Sequence, residues 1–176
     1  SFYNKAIPLE NDLLFQQLLE QKISGLYLQG GRKEALKLLE KLKQMQDYKE
    51  TRDFPHLNST THLSAHNKFG TVSVREVYWQ IVNTFGTQHT LTNELYWRDF
   101  FTHIGFHFPK VFNGAFQEKF QKIKWSHNEK NFTAWCNGMT GFPIIDAGMR
   151  ELNATGYMHN RVRMVVASFL CNDLHI

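Results

Sequence analysis

The chain has 176 residues, 42% of them hydrophobic and 14% aromatic, with 15 Phe, 6 Tyr and 4 Trp. That is one domain's length in a folded composition, which excludes a disordered chain, and no apolar run reaches the ~20 residues that a bilayer span needs. A formal net charge of +4 and a pI near 9.1 incline the surface toward anionic partners without naming one.

Residues 1–31 read as an entry segment, with an apolar patch around Leu13 to Leu19 and a break at Gly30-Gly31. In RKEALKLLEKLKQM, Ala35, Leu38, Leu39, Leu42 and Met45 recur at helical spacing between charges, the pattern of an amphipathic helix. Residues 50–71 hold Pro55, Gly70 and many small hydroxyls, and read as loop with a short turn of helix. Ser73 followed by Glu76 predicts a capping box, and Val74, Val77, Tyr78 and Ile81 the buried face of the helix behind it. TNELYWRDFFTHI opens a further helix with a Thr or Asn cap. Pro143 starts another, Thr155-Gly156 stops it, and the last runs from about Met158 to the end. Its Val162, Val165, Val166, Phe169 and Leu170 point to a core. No strict alternation bounded by turns occurs, so the predicted fold is all-α, with six or so helices.

No signal-peptide pattern opens the chain, and Cys136 and Cys171 lack metal or redox spacing. Buried free thiols in a reducing compartment are expected, in an intracellular, soluble protein, cytoplasmic or nuclear. His103 and His107 are four apart, but no carboxylate or thiol completes a metal set, so no metal is expected. The lysines between Lys110 and Lys130 read as a solvated face.

Three constellations carry more information. In NSTTHLSAHNKFG, residues 58–70, clustered hydroxyls before a helix suit a phosphate, and equally suit an ordinary Ser/Thr-rich turn. In NELYWRDFF, Glu94, Trp97, Arg98 and Phe101 share a helical face. That face could stack and hydrogen-bond a flat, polar-edged ligand, or hold a Glu94–Arg98 pair beside a core Trp. From TGYMHNRVRM onward, Asn160, Arg163, Met164 and Ala167 form one stripe that mixes an amide, a guanidinium and a thioether, the composition of a pocket wall. Arg161 lies on another side of the same helix.

The run WCNGMTGFPIIDAGMRELNATGYMHNRVRMVVASFL closely resembles the FAD-binding helical domain of DNA photolyases and cryptochromes. RDFPHLNSTTHLSAHNKFGTVSVREVY and NELYWRDFF fall in that family's order and spacing, so the resemblance extends from about Gly30 to Ile176. It implies an all-α domain holding a folded FAD. Tyr48, Thr60, Thr61, Leu63 and Ser64 then match residues around the FAD phosphates and ribityl chain. His62 stands among them where many relatives carry Arg, a departure that bears on phosphate binding. Arg98 joins the cofactor contacts, and Arg163 matches the arginine beside the flavin. Glu94 and Trp97 match contacts to a flipped-out pyrimidine dimer, and Asn160 and Met164 the pair between flavin and dimer. Arg52 and Arg161 match contacts to DNA phosphates, and Trp125 the outermost tryptophan of an electron relay.

HNRVRM is most like class I cyclobutane pyrimidine dimer photolyases, since (6-4) enzymes carry histidines at the positions of Asn160 and Met164. The implied activity is light-driven repair of such dimers in DNA, by electron transfer from reduced FAD. The alternatives are a cryptochrome-like photoreceptor without repair and a truncated or split DNA-binding fragment. Relatives continue past LCNDLHI into an Asp-Trp-Arg segment. The expected layout is therefore residues 1–31 as entry from a missing antenna domain and 32–176 as the first portion of the FAD domain. Arg163 would then lack an acidic partner, and Trp125 the rest of its relay.

Overall fold

A computed structural model describes residues 25–176. The apolar patch at 13–19, and most of the entry segment, lie outside the described residues. Helices α1 (Arg32–Glu40), α2 (Tyr48–Thr51), α3 (Ser64–Phe69), α4 (Val74–Phe85) and α5 (Thr90–His107) make up the first half. After short 3-10 turns come α6 (Glu129–Cys136), α7 (Pro143–Thr155) and α8 (Asn160–Ser168), which runs into a π-type turn, Phe169–Asp173. The described residues contain no strand, as the all-α reading requires.

Two apolar cores form. In the first, Ala35, Leu39 and Leu42 of the predicted amphipathic stripe are buried, with the stripe tightening into a 3-10 turn over Lys41–Gln44. They pack with Leu63, Val72, Val77, Ile81, Leu91 and Leu95. The second core joins Ile145 and Met149 of α7 to Met158, Val162 and Val166, with Trp135 and Phe169 against it. The Trp135 indole N–H donates to the Val166 carbonyl at 3.1 Å, tying α6 to α8.

Several local expectations need correction. Ser73 does cap α4, accepting from the Arg75 N–H at 3.3 Å, but Glu76 does not close the box. Its carboxylate takes both Arg32 guanidinium nitrogens at 3.0 Å, a bidentate pair that outcompetes one backbone N–H. The cap of α5 is His89, whose Nδ1 accepts from the Leu91 N–H, not Thr or Asn. α8 starts at Asn160 rather than near Met158, because the His159 Nδ1 caps it by accepting from the Arg161 N–H at 3.2 Å. Val165 is exposed, since α8 buries its Val162 and Val166 edge and turns Val165 to the other side. Cys136 is half-buried and Cys171 exposed, both free, where buried thiols were expected.

Two devices set α7, one at its start and one against α8. Before α7, the Asp146 carboxylate accepts from the Thr140 hydroxyl at 2.6 Å, the Thr140 N–H at 2.7 Å and the Gly141 N–H at 2.9 Å. The Thr140 bonds, foremost, hold its carboxyl below the usual aspartate range. Within α7, a Cβ on Gly148 would stand 2.4 Å from Val162 Cγ1 and 3.1 Å from Val166 Cγ2, so the two helices meet where a side chain is absent.

Gly148→Ala weighs two effects against each other. Overpacking costs ~1–3 kcal/mol, and the 2.4 Å approach puts it at the upper end, against a gain in helix propensity of ~1 kcal/mol, so a net loss of about 2 kcal/mol is expected. A lower urea midpoint at unchanged slope confirms this; an equal or higher midpoint means the helices part freely.

Candidate functional site

The seam between the cores gathers most of the predicted site residues. Arg52 follows α2, with its N–H bonded to the Tyr48 carbonyl at 3.0 Å, which aims its guanidinium across to α5. There its Nη1 donates to Glu94 Oε1. Its Nε lies 3.9 Å from Asp53 Oδ1, and that same oxygen accepts from Arg161 Nη2 of α8. Glu94, Arg52, Asp53 and Arg161 therefore form a chain of alternating charge across three segments. The Arg161 pair is the main cause holding the Asp53 carboxyl below its ordinary value.

The chain continues into soft atoms. Arg161 Nη1 lies 3.9 Å and Asn160 Nδ2 4.0 Å from Met164 Sδ, so the thioether accepts from a guanidinium and an amide. Trp97, one turn beyond Glu94, is 56% exposed and stacks on Phe101 at 6.0 Å, with Phe100 edge-on at 5.7 Å. An open indole beside a carboxylate can receive a flat ligand. The Arg52 guanidinium sits 6.0 Å from the Tyr48 ring centroid. Burial, and then the Glu94 charge, push the Tyr48 hydroxyl up to about 12, so it is a proton donor at neutral pH.

The hydroxyl-rich loop meets the start of α8. Thr60 Oγ1 is 3.3 Å from the Tyr157 hydroxyl, and Thr61 Oγ1 accepts from the Leu63 N–H at 3.4 Å. Leu63 is buried in the first core, and Ser64 begins α3. His62 adopts φ 54, a left-handed conformation uncommon outside glycine. Its ring stands 5.0 Å from Tyr27 and 5.1 Å from Tyr157, which stack on each other at 4.7 Å. His62 Nε2 is 2.8 Å from Asn58 Oδ1, leaving Nδ1 buried and without a partner among the described residues. His159 is 5% exposed; with Nδ1 spent on its cap, Nε2 carries the proton and also lacks a partner there. A buried N–H and hydroxyls with unused donor capacity on one seam fit an anionic, polar-edged group.

Not every predicted residue joins. Arg98 pairs with Asp99 at 2.8 Å and not with Glu94, so the expected i,i+4 pair is absent. Trp125 is 47% exposed in a separate segment, anchored where the Ser126 N–H meets the His175 carbonyl. Arg163 Nη2 donates to the Met158 carbonyl at 2.9 Å, so a backbone dipole serves its guanidinium. A cleft of about 500 Å³ between α1 and residues 27–29 holds none of the predicted site residues. Asp53, Asn58, Tyr157 and His159 were missed. Two of them had a legible signal: His159 is a polar residue just before a helix, and Asp53 adjoins Arg52.

Residues 90–176 match a family model described as the FAD binding domain of DNA photolyase. A deoxyribodipyrimidine photo-lyase of Alkalihalophilus pseudofirmus is 40% identical over 172 residues, covering 95% of this chain and 36% of its own length. The chain thus spans about a third of that curated relative. Among solved structures, an archaeal photolyase from Sulfolobus tokodaii with two FAD molecules is 43% identical at a TM-score of 0.75, over 91% of this chain and 35% of that one. A Synechocystis cryptochrome is 33% identical at 0.79, over 88% and 34%.

Burial, foremost, lowers the His62 pKa, followed by the nearby charges of His159 and Lys41. A depressed histidine is neutral in the fold but protonates on unfolding, so its contribution is present above the ordinary value near 6.5 and lost as pH falls toward the folded value. Melting temperature should fall across that window in the parent and fall less in His62→Asn. Parallel melting curves for the two would remove His62 from the pH dependence.

Proposed function

Because residues 90–176 belong to the FAD-binding domain family of DNA photolyases, we propose that the protein repairs cyclobutane pyrimidine dimers in DNA with light and FAD. The observation that carries this is the seam itself. Glu94, Arg52, Arg161, Asn160 and Met164 are joined through charge and sulfur contacts, with the open Trp97 one turn away. The activity proposed is that of the whole protein containing these residues, acting inside the cell where DNA is.

The residues divide the work by chemistry. Thr60, Thr61, His62, Leu63 and Ser64, with the unpartnered His159 N–H, would hold the FAD phosphates, and Tyr48, Arg98 and Arg163 other parts of the cofactor. Bound there in its reduced form, FAD would supply the light-driven one-electron chemistry that splits the dimer, with the electron returned at the end. A dimer pairs badly and is cheaper to flip out than an intact base. Its imide N–H groups would donate to Glu94, its carbonyls would accept from Asn160, and Trp97 and the Met164 sulfur would cover its faces. Arg52 and Arg161 would meet the flanking phosphates, and Trp125, exposed, would pass electrons inward from solution. A photoreceptor without repair is the second reading, favoured by the likeness to the cryptochrome.

The deciding assay follows dimer content of a defined duplex under blue light with the FAD-loaded protein, and in the dark as control. Light-dependent loss of dimers supports repair, whereas a bleaching flavin with intact dimers supports the photoreceptor. Trp97→Ala should remove ~1–3 kcal/mol of stacking, weakening dimer binding about fivefold to 150-fold while FAD absorbance persists. Unchanged dimer affinity would place the base elsewhere.

A further inference from the structure

We infer that Arg52 is a specificity-determining residue whose DNA phosphate contact is conditional: Glu94 holds its guanidinium until a flipped base takes the carboxylate over. This rests on the DNA-repair reading above and adds a coupling between two contacts that the reading treats separately.

The geometry is an interlock. Arg52 Nη1 is engaged by Glu94 Oε1, and the two side chains are 33% and 40% exposed. Undamaged duplex offers Arg52 a phosphate but offers Glu94 nothing. The exchange would trade one anion for another and strand a half-buried carboxylate beside a polyanion, with the half-buried Tyr48 nearby. Asp53 Oδ1, 3.9 Å from Arg52 Nε, adds a second negative group that favours the closed state. A flipped pyrimidine dimer changes the balance, because its imide N–H groups can donate to Glu94 as Arg52 leaves. The guanidinium then reaches a phosphate with no carboxylate left bare. Arg52 thus reports on the base through the backbone, and it raises affinity for damaged DNA alone.

Arg161 provides the contrast. It pairs with Asp53, whose side chain is 50% exposed and stays hydrated when released, so its phosphate contact does not depend on the base.

Fluorescence anisotropy on the FAD-loaded, longest natural form of the protein tests this in the dark, with duplexes that differ by one thymine dimer. Arg52→Gln should weaken dimer-duplex binding about fivefold to thirtyfold and leave undamaged binding within about twofold. The log K against log salt slope should be steeper by about one for the dimer duplex in the parent, and equal for both duplexes in R52Q. Glu94→Gln frees Arg52, so undamaged binding should rise about twofold to fivefold, and the rise should vanish when Glu94→Gln is made in the Arg52→Gln background, where loss of a negative charge alone would still raise it. Equal weakening of both duplexes by R52Q, or no gain with E94Q, overturns the interlock while leaving the repair reading intact. A parent protein with no preference for the dimer duplex overturns both.

Discussion

The site exists because two apolar cores meet across a seam that neither can fill. The first core stacks α1, α4 and α5, and the second locks α7 to α8 through Gly148. Between them the contacts are polar or aromatic. The Tyr27 N–H donates to the Thr155 carbonyl at 3.0 Å, Tyr27 stacks on Tyr157, and Thr60 meets the Tyr157 hydroxyl. A seam of this kind is costly as packing, because hydroxyls and rings replace aliphatic contact. It is suited to binding, because its polar groups retain unused capacity.

Electrostatics arranges that capacity. A guanidinium at the seam is stable only beside an acceptor, and each arginine finds a different one. Arg52 has Glu94, Arg161 has Asp53, and Arg163 has the Met158 carbonyl. The first two are exchangeable, since a phosphate or a base edge can take the place of a carboxylate. The third is fixed, because a backbone carbonyl near a helix start does not leave. These three arginines therefore differ in availability, and that difference follows from their partners rather than from residue type.

How much of this was legible depends on sequence distance. The stripe Ala35, Leu39, Leu42 and the stop at Gly156 follow local rules of spacing and backbone conformation, and both stand as read. The face Glu94–Trp97 was legible for the same reason, as i and i+3 of one helix. The partners were not. Glu94 was read against Arg98 four residues on, yet it pairs with Arg52, 42 residues earlier, while Arg98 turns to its neighbour Asp99. Glu76 left its expected capping box for Arg32, 44 residues away. For both glutamates the partner that tertiary packing supplies is a guanidinium far away in sequence, which spacing along one helix does not show.

His62 shows how a departure from the family's pattern becomes physical. A permanent cation at that position would need a counter-ion on the seam at all times. An imidazole there can remain neutral, and the aromatic box of Tyr27 and Tyr157 with the Asn58 amide satisfies one nitrogen while leaving the other buried. An anion arriving at that second nitrogen would favour its protonation, so charge would appear only with the ligand. Arg52 and His62 thus share a design on opposite sides of the seam. Neither presents a free positive charge in this structure, and each would gain one toward a ligand that brings the matching negative charge.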